Sequence, residues 1–107
     1  MLESLSVGDT RITDASLAYF ANFELLRFLN LEKTSVTDAG ASYLSGLKNL
    51  DTLSLCGTAV SDASIDTLLQ LPRLENLYID QSQMSSEGIE RLQKARPELD
   101  ISIEEDA

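Results

Sequence analysis

Three aspartates stand at one point of a recurring pattern, and their type and spacing invite a test for metal chemistry. Asp14, Asp38 and Asp62 are 24 residues apart, each just after a hydroxyl residue, Thr13, Thr37 or Ser61. A ladder of carboxylates is the raw material of a Ca²⁺ site, which needs oxygens at about 2.3–2.6 Å. Groups that lead adjacent packed helices stand about 8–10 Å apart, too far for one ion to bridge. The better reading is local: Thr13, Thr37, Ser61 and Ser85 are helix N-caps, and the aspartates behind them sit in a first turn favoured by the helix dipole. Ser86 lacks the charge, and Glu87 stands next to it.

Other chemistry fails for want of parts. The chain has no histidine, so it holds no Ser-His or Cys-His pair and no imidazole ligand, and neither Gly-rich phosphate loop pattern occurs. Cys56 is the lone cysteine. It has no basic neighbour in sequence to lower its pKa and reads as a small filler between Ser54 and Gly57. No enzyme, no cofactor and no metal is therefore expected. With 18 acidic and 8 basic residues, a net charge of −10 repels nucleic acid and anionic membrane alike. The one basic cluster, Arg91, Lys94 and Arg96, reads as the solvated end of a helix.

The elements that carry these residues repeat. Leu2, Leu26, Leu50 and Leu74 each open a copy of L-x-x-L-x-L-x-x-T-x-V-T-D-A-x-L-x-x-L-x-x-L. Leu5 to Val7 alternates as a strand does, while Leu17, Phe20 and Phe23 recur on one helix face. One copy is a strand, a turn and a short helix that cannot bury its own apolar positions. The copies must stack, strands into a parallel sheet on the concave side and helices on the convex side. Thr10, Thr34, Thr58 and Ser82, just past each strand, are expected to tie the bending backbone to the neighbouring copy. In the fourth copy one residue is gained before Leu99, Ile101 and Ile103 restart the strand pattern.

One α/β solenoid domain over 1–107 follows, with repeats 2–25, 26–49, 50–73 and 74–98, then a terminal strand and acidic tail over 99–107. Met1 leads straight into a strand without a polar cap, which suggests the C-terminal part of a longer array or an N-terminal edge open to self-association. Neither a signal peptide nor a transmembrane run is visible, which points weakly to the cytoplasm.

These residues resemble the leucine-rich repeats, within them the bacterial 24-residue type with V-T-D-A-G-L. Val36 to Gly40 reads V-T-D-A-G, and Leu92 to Ile101 matches the L-Q-K-A-x-P-x-x-x-I ending of such arrays. The family's usual asparagine after the strand is Thr or Ser here. The resemblance implies a leucine-rich repeat solenoid whose members are chiefly binding surfaces. A looser likeness is to the substrate-receptor arms of ubiquitin-ligase complexes, although no F-box precedes the repeats.

Strand alternation then maps the concave wall. Phe28, Asn30, Glu32, Thr52, Ser54, Asn76, Tyr78, Asp80, Asp100 and Ser102 are the expected contacts to a protein or peptide partner. Gly8, Asp9, Lys33, Cys56, Gly57 and Gln81 extend that wall. Phe28 and Tyr78 stand out as aromatics at solvent-facing positions, where interface anchors are commonly found.

Overall fold

The computed structural model describes residues 2–80 and 83–104; Ser82 and Gln81 of the expectations above, and the tail 105–107, lie outside them. Five strands, β1 (Ser4–Ser6), β2 (Phe28–Asn30), β3 (Thr52–Ser54), β4 (Asn76–Asp80) and β5 (Asp100–Glu104), form one sheet in sequence order. All four pairings are parallel, and each joins a residue to the one 24 places later, Ser4 to Phe28, Phe28 to Thr52, Thr52 to Asn76 and Asn76 to Asp100. The slip before Leu99 does not reach the strand, since Leu77 still pairs with Ile101.

Alternation turns the leucines inward. Leu29, Leu53 and Leu77 form one fully buried row, with Leu31, Leu55 and Ile79 beside it. Each such side chain stabilises the stack by about 1.5–3 kcal/mol relative to exposure. On the other side of the core lie Leu17, Leu44, Leu68 and Leu92, one from each coil.

The convex arms depart from four equal helices. They are α1 (Asp14–Phe20); α2 (Asp38–Ala41), which runs into a 3₁₀ turn over Ser42–Gly46; a 3₁₀ turn over Asp62–Ser64 that runs into α3 (Ile65–Leu69); and α4 (Ser86–Ala95). Phe23, expected on a helix face, falls in the turn beyond α1. The cause is geometric: parallel strands sit about 4.8 Å apart and packed helices about 8–10 Å, so the convex side must be built from short, narrow segments. Among the described residues α4 is the longest of these segments, at 10 residues.

A left-handed turn follows the strands. Asp9, Lys33 and Gly57 have φ of 56°, 55° and 75°. They belong to that turn rather than to the concave wall. A side chain on Gly57 would also press on Lys33, whose backbone nitrogen would lie 3.1 Å from the added carbon.

The hydroxyl residues after the strands donate within their own coil, and at Thr58 the hydroxyl also takes part in the expected tie between copies. Thr10, Thr34 and Thr58 donate to the carbonyls of Val7, Leu31 and Leu55, three residues back, at 2.5, 2.8 and 2.7 Å. A hydroxyl this close to the strand end finds its own carbonyl before it can reach the next coil. Between the third and fourth coils that tie is completed by Gln83, whose amide donates to Leu55 O at 2.9 Å and to Thr58 Oγ1 at 3.0 Å.

Candidate functional site

The strand register arranges the concave face in rows. One row runs Ser4, Phe28, Thr52, Asn76, Asp100; the next runs Ser6, Asn30, Ser54, Tyr78, Ser102. Phe28 lies between Ser4 and Thr52 and is 37% exposed, so its ring stands above small neighbours. Tyr78 is half-buried, as are Asn30, Thr52, Asn76, Asp80 and Ser102, while Asp100 is exposed.

Several of the expected contact residues already have internal partners. Ser54 is only 5% exposed and its hydroxyl donates to Glu32 Oε1 at 2.8 Å. Asn30 Oδ1 accepts the Glu32 N–H at 2.9 Å, which fixes the end of β2. Thr52 donates to Asp51 Oδ1 at 2.8 Å, and Asp80 Oδ2 accepts the Gly57 N–H at 2.5 Å. The face is therefore held rigid by its own polar groups, and Phe28 is its free apolar feature.

Beneath this face the coils are joined by a clasp that the sequence reading missed. Asp14 accepts the Thr37 N–H and hydroxyl at 2.7 and 2.6 Å; Asp38 accepts those of Ser61 at 2.8 and 2.6 Å; Asp62 accepts those of Ser85 at 2.9 and 2.6 Å. Each aspartate begins its own helical segment but gives its carboxylate to the N-cap of the next coil. That cap residue in turn accepts an N–H of its own helical segment, Ala39 for Thr37, Ala63 for Ser61 and Gly88 for Ser85. The signal was present in the fixed interval of 23 residues between each Asp and the next Thr or Ser.

The clasp also explains two glycines. A Cβ on Gly40 would strike the Asp14 carboxylate, and one on Gly88 would lie 2.5 Å from Asp62 Oδ1. At the equivalent place under Asp38 stands Ser64, whose hydroxyl donates to Asp38 at 2.5 Å. Burial alone would raise the Asp38 pKa, but the bonds from Ser61 and Ser64 together hold it below its ordinary value.

The basic cluster is used within the chain. Arg91 pairs with Asp66, Lys94 with Glu90 at 3.0 Å, and Arg96 donates to the carbonyls of Leu71 and Leu74 at 2.8 and 2.9 Å. No helix among the described residues is long and apolar enough to cross a membrane.

No protein-family model matches the chain, and no curated protein sequence does. Solved structures do. A leucine-rich-repeat protein of Leptospira interrogans is 23% identical at a TM-score of 0.71, over 94% of this chain and 25% of that one. The actin-binding site 2 of leiomodin-1 is 19% identical at 0.69, over 97% and 70%. An internalin from Listeria monocytogenes is 21% identical at 0.61, over 94% and 34%. The chain thus spans about a quarter of the first and a third of the last. With five parallel strands in sequence order and short helical segments behind them, the fold is a leucine-rich-repeat solenoid.

Proposed function

We propose that the chain is a non-catalytic interaction module that holds a protein or peptide on its concave sheet, its repeats being of the bacterial 24-residue type. The observation that carries this reading is Phe28, a large aromatic left exposed in the middle of a rigid strand row whose neighbours are small or polar. Aromatic anchors surrounded by polar groups are the usual centre of interface energetics. Tyr78 is the second anchor and Asp100 supplies charge at the far end of the wall. Use of this fold for protein recognition has a parallel in the leiomodin-1 structure, which is an actin-binding site.

The test is capture from the source lysate with the wild-type chain and with a Phe28→Ala/Tyr78→Ala variant, after their unfolding curves have been compared. A protein held by the first and lost by the second, at equal stability, supports the concave face. If both retain the same proteins, this face is not the site.

A second reading rests on the other edge of the sheet. Leu2 and Leu25 are 41% and 39% exposed, and with Asn22, Phe23 and Glu24 they line a shallow cleft beside the first coil. On this reading the first coil docks on a second copy of the chain. Light scattering across a concentration series would then show association, and a monomer at every concentration removes the idea.

A further inference from the structure

The first coil carries a set of donors that the third coil uses to hold a carboxylate. In the third coil the Ser61 N–H, the Ser61 hydroxyl and the Ser64 hydroxyl all donate to Asp38 of the coil before it, at 2.8, 2.6 and 2.5 Å. Two repeats earlier the same places are held by Thr13 and Ser16. Thr13 has φ −132° and ψ −174°, beside −135° and −165° at Ser61, so the donors start from the same backbone. Among the described residues no carboxylate accepts from them; the Thr13 N–H reaches the Ser16 hydroxyl at 3.4 Å.

A separate observation concerns the apolar face of the same coil. Leu2, Val7 and Ile12 take the positions of Leu26, Leu31 and Val36 in the second coil. Those three are fully buried between neighbouring coils, whereas Leu2 is exposed and Val7 and Ile12 are only partly buried. A solenoid end that meets water carries polar residues on its outer face, and this one carries the residues of an interior interface. The opposite end of the stack differs. Ser86 stands there where the other coils have Asp14, Asp38 and Asp62, so a second copy docked end to end brings no leading aspartate to Thr13.

We propose that this edge receives a further coil of the same leucine-rich repeat, preceding Leu2 in one longer array and laid parallel on β1, whose leading aspartate is bound by Thr13 and Ser16. All four strand pairings in the sheet are parallel and keep one register. A coil that continues it sets its own aspartate 23 residues before Thr13, the interval of the three clasps already described. Its leucines cover Leu2 and Val7, and its carboxylate takes charge-assisted bonds from the three donors. The docked coil lengthens the concave wall beyond Ser4. The edge is the one that the second reading above gives to another copy of the chain; the occupant is different, and recognition at Phe28 does not depend on it.

The test extends the whole chain by one coil, a copy of residues 26–49 joined in frame before Leu2 in place of Met1, and follows urea unfolding with and without Thr13→Ala. Expected is a single transition with its midpoint above that of the unextended chain. Thr13→Ala should lower the midpoint further in the extended chain than in the unextended one, and Asp38→Ala made in the copy alone should remove the difference. An added coil that unfolds in a separate transition, or an equal loss from Thr13→Ala in both chains, would overturn the proposal. Should circular dichroism show that the copy of 26–49 does not fold onto the chain, a copy of 50–73 takes its place, and failure of both rejects the interface. Light scattering separates the two readings of this edge. Association of the unextended chain that Leu2→Lys abolishes assigns the face to a second copy and overturns the docked coil, whereas a monomer at every concentration removes the second copy and agrees with the proposal.

Discussion

The first and third coils are written in nearly the same letters but experience different surroundings. Leu53, at the centre of β3, has β2 on one side and β4 on the other and is fully buried; Leu5, its counterpart in β1, is only partly so. Ser61 receives the Asp38 carboxylate on both its N–H and its hydroxyl. Thr13 has no such carboxylate among the described residues, and its N–H reaches only the Ser16 hydroxyl at 3.4 Å. Identical residues are thus worth different amounts, because stability in a solenoid resides in the interfaces between units as much as in the units.

The largest expected effect follows directly. Leu53→Ala should cost about 3 kcal/mol or more in urea unfolding, through lost burial and the cavity left behind, and Leu5→Ala about 1 kcal/mol, since its site already opens to water. Equal losses at the two positions would erase the contrast between inner and outer coils. Next comes the clasp between the first two coils. Gly40→Ala places a methyl against the Asp14 carboxylate and should destabilise by about 2 kcal/mol. In an Asp14→Gly background, which removes both the carboxylate and the Asp14 Cβ that would lie 2.8 Å from the added methyl, the same change meets neither, and alanine is the better helix former by up to about 1 kcal/mol, so its sign should reverse. A double-mutant cycle measures this directly, and additive effects would mean that Gly40 is there for another reason.

The period, the strands and the inward leucines were legible in the sequence because burial imposes a strict pattern on Leu5, Leu29, Leu53 and Leu77. Rows on the concave face followed from alternation alone. Less visible was what polar groups do once the coils are stacked. Asp14, Asp38 and Asp62 read as dipole partners because sequence reasoning looks along one helix, whereas their acceptor oxygens point to the next coil. Ser54 read as a contact residue because a strand position facing out was equated with access; Glu32, one coil away, engages its hydroxyl. The extent of α1 was overread at Phe23 for a similar reason, since that helix ends at Phe20. Apolar spacing cannot register the narrow allowance of a convex arm, and the 3₁₀ turns at Ser42–Gly46 and Asp62–Ser64 are its result.

Acid should reveal the smallest of these differences, at Asp38. Its carboxylate accepts three bonds, from the Ser61 N–H and hydroxyl and from the Ser64 hydroxyl, and burial, which opposes ionisation, does not outweigh them. The folded pKa therefore lies below the unfolded one, near 3.9. A depressed carboxylate contributes stability in full above the unfolded value and loses it as pH falls through the folded value, so the effect belongs to the range below about pH 4. Asp38→Asn keeps the shape but removes the charge. At neutral pH it should be less stable than the wild type by about 1 kcal/mol, in keeping with the loss of charge-assisted bonds, and the two should converge as pH falls. Urea unfolding at a series of pH values checks this. A gap that stays constant down to acid would mean that the Asp38 clasp works by shape alone and that its charge adds nothing to the interface between the second and third coils.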